Sequence, residues 1–186
     1  PHLHPNLALC YNNIGHIYSK LGDHKKALEY REKSLKIQEQ ILPSLDTTLA
    51  SYYYNIGITY GQLGDQKKAL EYLEKVLKIQ EQVSPPFHPN LAMGYSNIGL
   101  SYGELGDHKK ALEYLEKGMK IREQILPPLD TALIISYNSV GHAFGELGDH
   151  QNELEYLKKA MRIQEQILSP LHPNLITSYK SVGHTY

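Results

Sequence analysis

Ten histidines among 186 residues are the side chains with the most evident capacity for chemistry in this chain. A zinc site requires three or four such ligands to converge on one point. The histidines instead recur at two positions of a long repeat, and at one of these positions the intervening repeats carry apolar residues. The recurring histidines are His4, His88 and His172 at the first position, and His16, His142 and His184 at the second. We therefore expect no metal site.

The sequence contains neither a phosphate-binding loop nor a nucleophile with its base. Gly22 and Gly64 each precede an aspartate and lack the GxxxxGK pattern of a nucleotide-binding loop. Each recurring polar residue has a role in helix capping or packing, and no Ser/His/Asp arrangement occurs beyond what repetition makes inevitable. The sequence therefore predicts that the protein is not an enzyme and carries no cofactor.

A repeat of 42 residues positions all of these side chains. A block ending in Leu-Gly-Asp recurs at this interval, with its aspartate at Asp23, Asp65, Asp107 and Asp149. A period of about 20–50 residues indicates one supersecondary unit that stacks on copies of itself. We predict a single repeat domain over residues 1–186, with repeats at about 4–45, 46–87, 88–129 and 130–171 and a partial repeat at 172–186.

Two kinds of boundary divide each repeat into a pair of helices. Proline ends helices, and prolines occur in each of the longer connections, the first at Pro43. In the short connection, Gly22 suits the left-handed position after a helix and Asp23 suits the N-cap of the next one. So short a turn makes the two helices antiparallel. Helices are predicted to begin near residues 5, 24, 47, 66, 89, 108, 131, 150 and 173.

Hydrophobic spacing along the first helix predicts one apolar stripe. Tyr11, Ile14, Gly15 and Tyr18 stand at i, i+3, i+4 and i+7. Glycine inside a helix costs about 1 kcal/mol relative to alanine, so we expect this recurring glycine to permit close approach of another helix. The fold class that follows is all-α: an α-solenoid of antiparallel helix pairs, with four repeats and one terminal helix.

The second helix of each repeat is predicted to lie between two neighbouring helices. Leu35 lies on one of its apolar flanks and Ile37 on the other, as stacking of repeats requires. The remaining face carries opposite charges at the i, i+4 spacing of helical ion pairs. We expect this face to be solvated and to form two ion pairs, Glu29 with Lys33 and Glu32 with Lys36.

Composition narrows the classes of partner. A net charge of −1 at pH 7 provides no basic surface for nucleic acid or anionic lipid. No apolar stretch approaches the roughly 18 residues of a membrane span, and the single Cys10 favours a reducing compartment. We expect a cytoplasmic protein without nucleic-acid or membrane partners. Because the chain begins at Pro1 and ends within a repeat, we expect it to be a piece of a longer protein.

Short motifs recur in the repeats and together resemble a known family. They are His4-Pro5, Asn13-Ile14-Gly15, Tyr18, Gly22-Asp23, Ala27-Leu28 and Ile37-Gln38-Glu39. This pattern resembles tetratricopeptide repeats, and more closely the 42-residue repeats of kinesin light chains, over essentially the whole chain. Two departures are Arg31, where the other full repeats have leucine, and Glu153, which replaces a small residue. The resemblance implies a right-handed solenoid whose concave groove holds extended peptides.

In the solenoids that this chain resembles, the first-helix face opposite the apolar stripe lines the groove. Here that face mixes amides and hydroxyls with apolar residues such as Met93 and Ile135, which a purely solvated face would not contain. Its asparagine side chains can donate to and accept from a peptide backbone, or alternatively they brace the neighbouring helix. The predicted peptide-binding residues are Asn13, His16, Tyr54, Asn55, Ile58, Ser96, Asn97, Leu100, Asn138 and His142.

Three functions fit these features. The favoured one is a protein–protein interaction scaffold that binds an extended peptide or a disordered partner segment, because inner-face residues vary between repeats while outer residues repeat closely. The alternatives are a self-assembling structural spacer and the sensor array of a larger signalling enzyme. Acidic tails are disfavoured, since the positions at which related domains bind them with Lys and Arg here hold Asn12, Asn13, His16, Asn55, Ser96 and Leu100. We also expect end-to-end association of copies, because the first helix carries the same stripe as internal helices.

Overall fold

The computed structural model describes residues 4–169 and 172–184, and within these residues the chain forms nine α-helices and no strand. All nine helices begin at the residues predicted from the sequence. Their bounds are α1 (Pro5–Lys20), α2 (His24–Ile41), α3 (Thr47–Gln62), α4 (Gln66–Val83), α5 (Pro89–Glu104), α6 (His108–Ile125), α7 (Thr131–Glu146), α8 (His150–Ile167) and α9 (Pro173–His184). The odd-numbered helices are the first helices of the repeats.

The chain divides into two compact units. The first unit, residues 1–86, contains α1 to α4, and the second unit, residues 87–186, contains α5 to α9. Within each unit every helix packs against the helices that precede and follow it in sequence. Packing mainly between sequence neighbours is the arrangement of a helical repeat array. That all repeats form a single domain stays a prediction.

Helix caps explain why the boundaries could be predicted. Gly22 has a φ of 79°, in the left-handed region that glycine adopts without strain. Asp23 then caps α2, because its Oδ1 accepts from the Lys26 N–H at 3.1 Å. The predicted capping histidines also bind backbone: His88 Nδ1 accepts from the Asn90 N–H at 3.1 Å. The turn and both kinds of cap are thus confirmed.

The recurring glycine of the first helices lies against the second helix of the same repeat. A Cβ at Gly99 would lie 2.7 Å from Leu115 Cγ and 3.0 Å from the Ala111 carbonyl oxygen. A Cβ at Gly15 would lie 2.9 Å from Arg31 Cγ. Real side chains do not approach so closely, so these helix pairs pack at a distance that only glycine permits. This confirms the predicted role of the glycine.

The outer face follows the prediction in one ion pair and departs from it in the other. Lys33 Nζ lies 2.6 Å from Glu29 Oε1, as predicted. The predicted pair of Glu32 with Lys36 is wrong, because Glu32 Oε1 instead accepts a hydrogen bond from the hydroxyl of Tyr60 at 2.8 Å. The next repeat therefore supplies the partner of this glutamate, which spacing within one helix cannot reveal.

Tyrosines of the first helices hydrogen-bond to glutamates of the preceding repeat. The hydroxyl of Tyr53 donates to Glu39 Oε1 at 2.9 Å, and that of Tyr137 donates to Glu123 Oε1 at 2.9 Å. Burial, followed by the hydrogen bond to the glutamate, raises the pKa of Tyr53 and of Tyr137 to about 12. Deprotonation of these hydroxyls therefore opposes the packing of one repeat on the next.

We expect the free energy of unfolding to fall as the pH rises from about 10, the pKa of an unfolded tyrosine, toward about 12. The raised pKa means that the folded state holds these protons more tightly than the unfolded state. The contribution of the two protonated hydroxyls to the free energy of unfolding is therefore complete below pH ~10 and is lost as the pH rises through ~12. Urea unfolding at a series of pH values measures this loss. The Tyr53→Phe/Tyr137→Phe protein should show a shallower decline, whereas the same decline in both proteins would contradict the assignment.

Candidate functional site

None of the ten predicted site residues is buried. In the first unit they lie on the accessible side of α1 and α3, and in the second unit on that of α5 and α7; we call this side of the first helices the inner face in either unit. Asn13, His16, Leu100 and His142 are exposed, and Tyr54, Asn55, Ile58, Ser96, Asn97 and Asn138 are half-buried. Apolar side chains on the same face are also open to solvent, since Leu100 is 50% and Ile135 is 67% exposed. Accessible apolar groups beside amides are features of ligand-binding surfaces.

In the first unit, packing holds the inner-face side chains of α3 in place. Tyr54 packs beside the buried cluster of Ala50, Val76 and Ile79. The Asn55 carbonyl oxygen is engaged within the protein, but its side-chain amide has no such hydrogen bond. The side chain is therefore positioned by a hydrogen-bonded backbone while its own polar atoms stay available.

The asparagine amides are not used to brace neighbouring helices. Across the part of the chain that the structure describes, the side chains of Asn13, Asn55 and Asn138 form no hydrogen bond with other protein groups. The Nδ2 of Asn97 is shielded from solvent and likewise has no acceptor. A shielded amide without a hydrogen-bond partner destabilises the folded protein by about 1–3 kcal/mol. The absence of internal partners favours recognition over bracing for Asn13, Asn55 and Asn138, whereas the shielded Nδ2 of Asn97 is not open to a ligand as it stands.

One arginine reaches the inner face from a second helix. Arg122 of α6 donates from Nη1 to the hydroxyl oxygens of Ser96, at 2.8 Å, and Ser136, at 2.9 Å. Burial lowers the pKa of Arg122 from its ordinary value. Ser96 is thereby held within the protein, which makes it less available to a ligand than the asparagines. Sequence reasoning missed Arg122 because it considered only first-helix positions for this face, although a polar residue on an apolar flank was a visible signal.

A second arginine is buried in the first unit, and no described residue provides it with a carboxylate. Arg31 is 6% exposed, and its Nη1 donates to the Asn55 carbonyl oxygen, at 3.0 Å, and to Thr59 Oγ1. Its Nε is buried and has no acceptor. Burial lowers the pKa of this guanidinium. The position is leucine in the next repeats, at Leu73, Leu115 and Leu157.

The second unit has a cavity of about 340 Å³ between α5, α6 and α7. Two predicted site residues, Leu100 and His142, come together in its wall. Charged groups also line it, and His108 Nε2 lies 4.0 Å from Glu146 Oε2, close enough to form an ion pair when the imidazole is protonated. The lining residues are Gly99, Leu100, Gly103, Glu104, His108, Ala111, Leu115, Ser139, His142, Ala143 and Glu146.

Metal and membrane sites find no support in the geometry. In residues 4–169 and 172–184, no three His, Cys, Asp or Glu side chains are placed to share a metal ion. Among the helices of these same residues, none combines the length and the hydrophobicity that crossing a membrane requires.

Comparison with known proteins decides the family. Models described as tetratricopeptide repeat match residues 6–82, 48–124 and 133–174. These matches cover most of the chain. The chain belongs to the tetratricopeptide repeat family. The predicted all-α solenoid of antiparallel helix pairs is confirmed by this membership and by the nine helices of the described residues.

Solved structures show the same fold at low identity. The kinesin-light-chain TPR-like repeats of Podosopora anserina are 23% identical, with a TM-score of 0.86, over 98% of this chain and 87% of that chain. BtubC from P. vanneervenii is 24% identical, with a TM-score of 0.81, over 92% of this chain and 68% of that one. A Rap protein complexed with Competence and Sporulation Factor is 18% identical, with a TM-score of 0.67, over 95% and 47% of the two chains. No curated protein matches the chain at a significant level.

Proposed function

We propose that the inner face binds an extended peptide or a disordered segment of a partner protein. Membership of the tetratricopeptide repeat family supports a protein–protein interaction scaffold, and this family is generally non-enzymatic. The observation that carries the finer proposal is that Asn13, Asn55 and Asn138, on accessible and partly apolar surface, have side-chain amides without partners among the described residues. The Rap protein of similar fold, which is complexed with a named factor, supports binding of a protein or peptide ligand.

Asparagine suits this role because one side chain offers both a donor and an acceptor. A peptide backbone presents the complementary pair at every residue, so an amide can bind it whatever the peptide sequence. Apolar neighbours such as Ile58 and Leu100 then contact peptide side chains and contribute selectivity.

The free, exposed thiol of Cys10 fits the cytoplasmic location that we propose.

Selection from a proteome-scale peptide display library provides a ligand for the test. We expect Asn55→Ala or Asn97→Ala to weaken binding of the selected peptide by about 1–3 kcal/mol, because each removes an amide that the peptide would satisfy. The control is Gln124→Ala, which removes an exposed amide from the second helix α6. Calorimetric titration measures the affinities. Unchanged affinity in both asparagine variants would make these amides structural and overturn the proposal.

End-to-end association of copies is a second proposal and rests on a different observation. Ile14 is 38% exposed, whereas its equivalents in the following repeats, Ile56, Ile98 and Val140, are fully buried. A face that is buried elsewhere in the array is thus open on α1, and a second copy could cover it. The spacer and sensor-array alternatives stay predictions.

Sedimentation equilibrium over a wide concentration range tests this association. We expect the average mass to rise with concentration, and Ile14→Glu to return the protein to a monomer because it places a charge in the contact. A chain that stays monomeric at millimolar concentration would contradict the proposal.

A further inference from the structure

We infer that the cavity of the second unit binds the side chain of a lysine or arginine from the bound peptide. This inference rests on the proposed peptide-binding function, and it names one feature of the ligand. The cavity volume of about 340 Å³ lies at the low end of the range for ligand sites, roughly 300–1,000 Å³. It therefore suits one side chain better than a cofactor.

The inner wall of the cavity suits a methylene stem. Leu100, Ala111, Leu115 and Ala143 contribute apolar surface to it. Leu100 is half exposed in the free protein, so covering it removes apolar surface from water. Lysine and arginine carry three or four methylene groups that pack on apolar surface while their charged heads reach a polar region.

Two carboxylates line the same cavity with little compensation. Glu104 has no ion pair or hydrogen bond with any described residue, and Glu146 has only His108 at 4.0 Å. Glutamates on the outer face of this unit are instead neutralised, as where Lys117 Nζ lies 2.6 Å from Glu113 Oε1. An uncompensated pair of carboxylates attracts a cation and repels an acidic side chain. The charge of the cavity thus selects a basic residue.

The first unit shows that a guanidinium fits this place in the repeat. There the protein's own Arg31 donates to the Asn55 carbonyl oxygen and to Thr59 Oγ1. Two repeats later, Ser139 and Ala143 occupy the positions of these two acceptor residues, and both line the cavity. The positions that Arg31 contacts in the first unit thus line an open cavity in the second unit, where α6 carries Leu115 instead.

The surroundings of Arg31 in the first unit and the cavity of the second unit also differ in charge. Lys20 and Gln62 of the first unit stand where Glu104 and Glu146 stand in the second. The first unit thus supplies its own cation and lacks both carboxylates. The second unit has both carboxylates and lacks the cation, which we assign to the ligand.

The test uses single-residue probes and the whole chain. The probes are the N-acetyl N-methylamides of arginine and lysine, with that of norleucine as an uncharged control of similar length. Amide NMR shifts of Gly99, Gly103 and Ser139 report on the cavity wall. We expect saturable shifts with the two basic probes and binding at least about fivefold weaker with norleucine, because only the basic probes gain charge-assisted hydrogen bonds.

Three variants make the test specific. Glu104→Gln/Glu146→Gln should weaken the basic probes about tenfold, while Glu113→Gln/Glu155→Gln, which removes two charges from the outer face, should change affinity less than about twofold. Leu115→Arg should abolish probe binding by filling the cavity as Arg31 fills its counterpart.

Equal binding of norleucine, or equal affinities in the two glutamine variants, would overturn the inference. The peptide proposal has a separate outcome. If Asn55→Ala and Asn97→Ala leave peptide affinity unchanged while the basic probes bind the cavity, the asparagine hypothesis fails and the cavity assignment stands. If the asparagine variants lose peptide affinity and the basic probes do not bind, the cavity assignment fails and the asparagine hypothesis stands.

Discussion

Replacing Ile56 with alanine is expected to lower the free energy of unfolding by about 2–5 kcal/mol, the range for emptying a packed core site. Ile56 has no exposed surface and packs in a cluster with Leu35 of α2 and Ala69 of α4. The methyl groups that are removed therefore leave a void between one repeat and the next. Urea unfolding followed by circular dichroism measures the loss.

Ile14 provides the matched control, because it has the same residue type at the same position of the first repeat. It is 38% exposed, so Ile14→Ala should cost only about 1 kcal/mol. The difference between the two variants isolates the contribution of the preceding repeat from that of the helix pair itself. Equal losses would show that α3 does not pack on α2 as described.

Replacing Arg31 with leucine is expected to raise the free energy of unfolding by about 1–4 kcal/mol, as in other replacements of buried charges by apolar residues. The guanidinium is almost fully buried, its Nε has no acceptor, and the described residues provide it with no carboxylate. Removing the guanidinium leaves neither of its two acceptors without a hydrogen bond, because Thr59 Oγ1 still donates to the Asn55 carbonyl oxygen at 2.7 Å. Leucine is also the residue that the repeat otherwise uses at this position.

Leu73→Arg is the reverse substitution in the next repeat. It should destabilise the protein, since it buries a charge where the surroundings are not adapted to one. Both variants can be compared with the parent protein by urea unfolding at neutral pH. A less stable Arg31→Leu protein would mean that the hydrogen bonds of the guanidinium outweigh the cost of its desolvation.

Helix boundaries were predictable because local chemistry determines them. Gly22 and Asp23 satisfy backbone groups within the same turn, so their effect does not depend on distant residues. The same holds for the ion pair of Glu29 with Lys33 on one helix. Glu32 was assigned wrongly because its partner, Tyr60, belongs to the next repeat.

The peptide-binding role of the ten residues stays a prediction. What the structure shows is that all ten are exposed or half-buried, on first helices of both units. The cavity was not predicted, because it depends on how Gly99, Gly103 and Leu115 of two helices leave space beside a third. Arg122 was missed for a related reason, since it reaches the inner face through a gap between α5 and α7 that spacing along one helix does not describe.

Side-chain amide resonances test the central claim, that the inner face binds peptide through its asparagines, most directly. The measurement is a titration of ¹⁵N-labelled protein with a peptide from the display selection, followed through the side-chain NH₂ signals of Asn55 and Asn97. We predict that both signals shift and saturate with the backbone amides of α3 and α5, while the exposed side of α2, α4 and α6 stays unchanged. Saturable shifts confined to those second helices, with both asparagine signals unmoved, would contradict the claim.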